Sequence, residues 1–199
     1  MQRYDILNTL TKKFEYENYL EIGIQCQNNF KSVKVKNKTG IEPFPPKGYE
    51  NGIDYQMTSD EFFNQLDDDV KYDLVFIDGL HHREQVLRDI ENSLKHLTEN
   101  GSILCHDCLP NSEKEQMRED QGGVWMGDVW KTMFDLMKTR DDLEIQIIDT
   151  DCGCGLIRKG KQETVDFDNS NMDYNFFVEN KNKVLNIISP TEFLELING

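Results

Sequence analysis

The chain has 199 residues, 37% of them hydrophobic and 10% aromatic, which suits one domain with a substantial core and is far from a disordered composition. Lys and Arg total 22 against 37 Asp and Glu, a net charge of −15, which opposes nucleic acid and anionic membrane surfaces as partners because phosphate binding needs a concentrated positive field. Five cysteines, no leader-like pattern in Met1–Thr11 and no bilayer-length apolar run predict free thiols in a cytoplasmic protein.

Short apolar runs alternate with helical periodicity. Tyr19–Gly23 (YLEIG), Thr39–Glu42 (TGIE) and Tyr55–Met57 read as the first three strands. Thr58-x-x-Glu61 has the pattern of a capping box and opens a short helix containing Phe62, Phe63 and Leu66. Asp73–Asp78 (DLVFID) is the fourth strand. The helix after it places Val86, Leu87, Ile90, Leu94 and Leu97 on one face, pairs Glu84 with Arg88 and Glu91 with Lys95 on the other, and takes Asn100-Gly101 as its C-cap. Ser102–Asp107 (SILCHD) is the fifth strand. Residues 111–123 (NSEKEQMREDQGG) are polar and end in glycines, as a surface loop does. Asp128 is a good N-cap for a helix that buries Val129, Trp130, Met133, Phe134 and Met137. Leu143–Asp149 is the sixth strand. The turn CGCG (152–155) is too short for a crossover, so Gly155–Lys159 returns antiparallel beside it. The tail is patterned as helix through Phe177, Val184, Leu185 and Ile188, then Phe193, Leu194 and Ile197. Ser189-Pro-Thr-Glu192 is a second capping box with Pro190 at the first helical position.

Strands separated by helices imply an α/β fold: a Rossmann-like, doubly wound sheet of about seven strands, mostly parallel, with a C-terminal antiparallel hairpin strand. One domain over 1–199 is expected, with a core at about 17–160 and a helical extension at about 161–199.

Ligands of such a sheet bind beyond the carboxyl ends of its strands, near the point where strand order reverses. The fourth strand ends in Asp78, Gly79, His81 and His82. The fifth ends in His106 and Asp107, and Asp107 follows Asp78 by 29 residues, the length of about one strand–helix–strand unit. The two strands are then neighbours, and two carboxylates and up to three imidazoles share one rim. The first strand ends in EIGIQCQ (21–27), where Gly23 lets the backbone turn sharply and approach a ligand. Glu42 comes 19 residues after Gly23, close to the spacing at which an acid accepts hydrogen bonds from the ribose hydroxyls of an adenosine cofactor. Gln25 and Gln27 stand where dinucleotide sites place further glycines for a pyrophosphate. A cofactor without phosphate needs no such cradle, which favours S-adenosylmethionine over a nicotinamide nucleotide.

On these residues the chain resembles the class I S-adenosylmethionine-dependent methyltransferases, specifically the small bacterial branch with the segment F-I-D-G-x-H after the fourth strand. The resemblance covers roughly residues 17–160 and rests on YLEIGIQCQ (19–27), GIEP (40–43), MTSDEFF (57–63), VFIDGLHH (75–82) and ILCHDC (103–108). It implies Glu42 on the ribose, Thr58, Ser59 and Asp60 near the adenine, and Glu21, Gly23, Gln25, Asp78 and Gly79 around the rest of the cofactor. It also implies O-methylation of a small hydroxylated acceptor, a sugar or another metabolite. His81, His82 or His106 would be the base, with Asp107 beside them. Some related O-methyltransferases hold a divalent metal by carboxylates after strands four and five, and Asp78 and Asp107 occupy those places. An oxygen pair suits Mg²⁺, and the nearby imidazoles admit a transition metal.

Two other readings stay open. One is a metal-dependent hydrolase with Asp78, His81, His82, His106 and Asp107 as ligands. The other, motivated by Gln25 and Gln27, is a relative that binds the cofactor without turnover. A homo-oligomer is left open. His96 is expected on the solvated side of its helix, Trp125 beside the acceptor and Trp130 in the core. The pairs Cys105/Cys108 and Cys152/Cys154 are expected to be plain thiols rather than zinc ligands.

Overall fold

A computed structural model describes residues 1–199. Along β1 (Asn18–Ile22), β3 (Tyr72–Ile77) and β4 (Leu97–Cys105) successive side chains point to opposite faces, and both faces are apolar. Leu20, Ile22, Val75, Ile77, Ile103 and Cys105 face one helical layer; Tyr19, Leu74, Phe76 and Leu104 face the other. The first layer holds α3 (Ser59–Gln65), α4 (Arg83–Lys95), α5 (Val129–Thr139) and α6 (Tyr174–Val184), with Trp130 fully buried in it. The second holds α1 (Arg3–Phe14), the short α2 (Asn28–Ser32) and α7 (Pro190–Asn198).

With β2 (Asn37–Ile41), β5 (Leu143–Ile148), β6 (Cys154–Lys159) and β7 (Ile187–Ile188), the seven strands lie in the order β2-β1-β3-β4-β6-β5-β7. Every pairing is parallel except the two that β6 makes, with β4 and with β5. Strand order reverses between β1 and β3, so the tips of those strands form the crevice this sheet offers a ligand.

Several elements depart from the sequence pattern. Tyr55–Met57 forms no strand and meets β2 at a single bridge, Tyr55 to Ile41. The Asp54 carboxylate accepts the Gly40 amide at 2.8 Å, which a longer ladder would have used. The seventh strand comes instead from the tail, which is more than a helical extension: Ile187 and Ile188 pair with β5 and close the far edge of the sheet. The helix after β3 ends at Lys95, and Asn100-Gly101 lie within β4. The Tyr72 amide donates to the His96 carbonyl, and His96 Nδ1 lies 3.0 Å from the Val70 carbonyl, so the chain turns there and His96 is buried rather than solvated. Glu84 and Glu91 pair with Arg118 and Arg140 instead of with Arg88 and Lys95. Asp128 precedes α5 but caps another helix, its Oδ1 accepting the Arg83 amide at the start of α4 at 2.7 Å. Both capping boxes form. All five cysteines are free, and no helix is long and apolar enough to cross a membrane.

Candidate active site

Gly23, at the tip of β1, has φ +88°, and a Cβ there would lie 2.2 Å from the Asp78 carbonyl oxygen. On the other side Gly79 backs onto the Ile22 side chain. The two strand tips therefore touch backbone to backbone, and a cleft of about 490 Å³ opens above them. Gly23, Gln25, Glu42, Thr58, Ser59, Asp78 and Gly79 all line it, joined by Gln85 of α4, which sequence reading missed. Glu42 is buried at the end of β2. Its two oxygens accept the backbone amides of Gln25 and Phe44, each at 3.0 Å, which fixes the carboxylate at the cleft edge.

Gln25 and Gln27 have φ of 36° and 61°, the left-handed region that glycine tolerates best. The turn that glycines usually make is thus kept with glutamines. Gln27 is buried, and its Nε2 donates to the Tyr49 and Asn51 carbonyls at 2.9 and 2.8 Å. Those bonds pin the loop that carries Phe44 and Pro46 to the cleft. Gln27→Ala keeps the strained backbone and frees the loop. It should cost about 1–3 kcal/mol, read in denaturant unfolding, and a variant as stable as the parent would show that the loop is held elsewhere.

A second cavity of about 280 Å³ shares Gly23, Gln25 and Asp78 with the first and is bounded by Arg3 at the start of α1, by Glu21 and by Asn29. Glu21 Oε2 accepts from the Tyr19 hydroxyl at 2.5 Å and from Asn29 Nδ2 at 3.0 Å. Burial pushes its carboxyl up to about 8, against the pull of those two bonds.

Beside the cleft, β3 and β4 bring four expected residues together. His81 Nε2 lies 3.3 Å from Asp78 Oδ1 and 3.2 Å from Asp107 Oδ2; His106 Nδ1 lies 3.4 and 3.1 Å from carboxylate oxygens of the same two residues. His81 Nδ1 faces the Trp125 carbonyl at 3.1 Å, and the two rings are 4.9 Å apart, so Nε2 is directed at the acids. Two further members escaped sequence reading. Arg3 Nη1 donates to Asp78 Oδ2 at 2.8 Å and Arg3 Nε to Asp151 Oδ2 at 3.0 Å. Asp151, in the β5–β6 turn, has its Oδ1 3.6 Å from His106 Nε2. Asp107, Asp151 and Cys152 have φ of 63°, 46° and 66°, three strained residues grouped around one imidazole.

Burial opposes charge on both histidines, but the carboxylates outweigh it. Asp78, Asp107 and Asp151 raise His106 far above its ordinary value, and Asp78 and Asp107 raise His81. Asp78 and Asp151 respond in kind: burial would raise them, yet the imidazoles and, for Asp151, Arg3 hold both well below the usual carboxylate range.

Two expected site residues lie elsewhere. His82 is the N-cap of α4, and its Nδ1 is 3.2 Å from Arg118, because neighbouring side chains diverge where the chain enters a helix. The five-ligand set of the hydrolase reading therefore does not assemble. Asp60 follows cleft-lining Ser59 in α3 and is turned away by about 100°. It faces Gln85 Nε2 at 3.2 Å and Arg88 Nε at 3.4 Å.

The crevice thus lies at the switch point, with a glycine on the first strand tip and an acid at the end of the second. Residues 31–108 match a family model described as a methyltransferase domain. Three solved structures share the fold. The methyltransferase PaMTH1 of Podospora anserina, bound to SAH, is 16% identical over 80% of this chain and 78% of that one, with a TM-score of 0.57. The O-methyltransferase TomG of Streptomyces achromogenes, in complex with SAM, is 14% identical over 79% of both chains, at 0.59. An O-methyltransferase from Bacillus cereus in complex with SAH is 12% identical over 79% and 80%, also at 0.59. No curated protein matches the chain in sequence. The methyltransferase resemblance and the Rossmann-like α/β fold read from the sequence agree with the family match and the shared fold.

Proposed function

We propose that the chain is an S-adenosylmethionine-dependent O-methyltransferase acting on a small hydroxylated molecule. The observation that carries this reading is Glu42, a buried carboxylate aimed by two backbone amides at a cleft pressed against the Gly23–Asp78 backbone contact. The residues fit this nucleoside. No Lys or Arg lines the cleft, as a phosphate-bearing cofactor would require, and Thr58, Ser59 and Leu80 offer walls for a flat base. Glu42 accepts hydrogen bonds from the ribose hydroxyls. When bound, the cofactor supplies a methyl group carried on a cationic sulfur.

The protein's task is then to align the acceptor oxygen and take its proton. His81 suits that step: its side chain is 12% exposed against 3% for His106. His106, held as a cation by three acids, orients Asp78 and Asp107. The oxygens of those two acids and His81 lie within 4.8 Å of one another, a donor set that would accept Mg²⁺ or a transition metal. Such an ion would lower the pKa of the acceptor hydroxyl in place of a base, because His81 Nδ1 is taken by the Trp125 carbonyl and its Nε2 would be a ligand. The loop through Trp125 forms the acceptor side, in one catalytic domain over residues 1–199. Five free thiols support a reducing, cytoplasmic setting.

Ligand-induced stabilisation tests the reading. S-adenosylhomocysteine at a hundredfold excess over its Kd should add about 2.7 kcal/mol to unfolding stability. Glu42→Ala should lose most of that gain while melting normally without ligand. Wild-type protein that gains nothing would sink the reading.

A further inference from the structure

One acid of α4 stands behind the cleft without a cation of its own. Asp89 is 1% exposed, and its two oxygens are used unequally: Oδ1 accepts from Gln85 Nε2 at 3.0 Å, while Oδ2 has no hydrogen-bond partner. Ser93 Oγ, one turn further along the same helix, is likewise buried and unpartnered. Gln85 and Ser59 both line the cleft, and Gln85 Nε2 also lies 3.2 Å from Ser59 Oγ. Asp60 of α3 and Arg88 of α4 are the charged groups that face Asp89. Arg88 spends its guanidinium on Asp60 Oδ1 and Gln85 Oε1 rather than on Asp89. Burial pushes the Asp89 carboxyl up to about 6, against the pull of hydrogen bonds from Ser59 and Gln85; Asp60 adds to the rise and Arg88 opposes it. Two cleft residues therefore lean on a buried acid that changes charge just below neutral pH.

A charged carboxylate can only accept, so it draws the Gln85 amide and the hydrogen of the Ser59 hydroxyl inward and leaves the Ser59 oxygen as an acceptor toward the cleft. A protonated carboxyl is itself a donor. It competes for the Ser59 oxygen and turns that hydroxyl's hydrogen outward. Adenine carries an exocyclic amino group, whose hydrogens meet an acceptor in the first state and a rival donor in the second. We propose that Asp89 is a positioning residue that holds the Ser59 hydroxyl and the Gln85 amide in the orientation that receives the base, so that a proton taken up on Asp89 weakens nucleoside binding. The proposal rests on the cofactor reading above. Asp89 itself touches no ligand and acts through its two neighbours.

Calorimetric titration with 5′-methylthioadenosine tests it, since this nucleoside has no group of its own that titrates at about pH 6. A carboxyl that titrates at about 6 is charged in about nine molecules of ten at pH 7 and in about one of four at pH 5.5, so wild type should bind about fourfold weaker at the lower pH. Asp89→Asn, whose amide donates where the carboxylate only accepts, should bind at least about fourfold weaker than wild type at pH 7 and equally at both pH values. Wild-type titration at pH 6 in two buffers of different ionisation enthalpy should show about half a proton released per nucleoside bound. Equal wild-type affinity at the two pH values would overturn the proposal, and so would a pH slope that survives in Asp89→Asn. Should Asp89→Asn not fold, the wild-type profile and the proton count still decide, and binding without proton release at pH 6 overturns the proposal. If wild type binds neither 5′-methylthioadenosine nor S-adenosylhomocysteine at pH 7, the cofactor reading itself falls.

Discussion

Gly23→Ala should lower the melting temperature by about 6–12 °C and abolish nucleoside binding, since each kcal/mol moves the midpoint of a domain this size by about 2–4 °C. The new Cβ would meet the Asp78 oxygen at 2.2 Å, the Asp78 carbonyl carbon at 2.6 Å and Gly79 Cα at 2.7 Å. All three are backbone atoms of the adjoining strand tip, so no flexible side chain can yield. A φ of +88° adds backbone strain to the clash, for a total of about 3 kcal/mol. Gly48→Ala separates the two causes. Its φ is +91°, but nothing lies within 4 Å of an added Cβ, so it should cost strain alone, about 1 kcal/mol. Equal losses in the two variants would mean that the contact between β1 and β3 is not what makes Gly23 necessary.

His106→Gln should be the most destabilising change within the charge cluster, by about 3–5 kcal/mol near neutral pH, because it leaves buried carboxylates short of a cation. It should also reshape the pH profile. The folded state raises His106 above its unfolded value of about 6.5, so its contribution is complete below that pH and is lost as pH climbs toward the raised value, by about 1.4 kcal/mol per unit. Asp78 and Asp151 are held low, so their contribution is present above about pH 4 and fades as pH falls through the depressed values. Wild type should therefore lose stability from pH 7 to pH 9, and His106→Gln should lose much less over that interval. Removing the cation also lets Asp78 and Asp151 protonate at higher pH in the folded state, so through these two groups acid should cost the variant less stability than it costs wild type. Unfolding in denaturant at pH 4, 7 and 9 reads all three points. Identical slopes from 7 to 9 would mean that His106 is uncharged in the folded protein.

The sheet is legible because two-residue alternation and apolar strand runs are local signals. The meeting of Asp78 with Asp107 is legible because a strand–helix–strand unit has a nearly fixed length, so spacing stands in for distance. Glu42 is legible for the same reason, one unit earlier. Arg3 is not: it lies 75 residues from Asp78 and 148 from Asp151, and no short pattern spans such gaps. The signal available was α1 itself, with Ile6, Leu7 and Leu10 at helical spacing behind a Gln2–Asp5 capping box. A helix there, leading into β1, had to begin somewhere near the strand tips. Asp151 was hidden by its turn, whose glycines and cysteines draw attention away from the acid. The misread strand at Tyr55 failed for another reason, since one aspartate side chain can take an amide that backbone pairing would otherwise claim.

The packing of α1 carries a consequence for how the molecule is made. Ile6, Leu7 and Leu10 share one buried cluster with Phe193 and Ile197 of α7. The helix that carries Arg3 gains its full apolar seat only when α7 follows, almost two hundred residues later in the chain. Domains generally fold as units, so the cavity that Arg3 bounds is complete only once α7 is available to pack on α1. The earliest residue of the charge cluster is thus the last to be fixed in place.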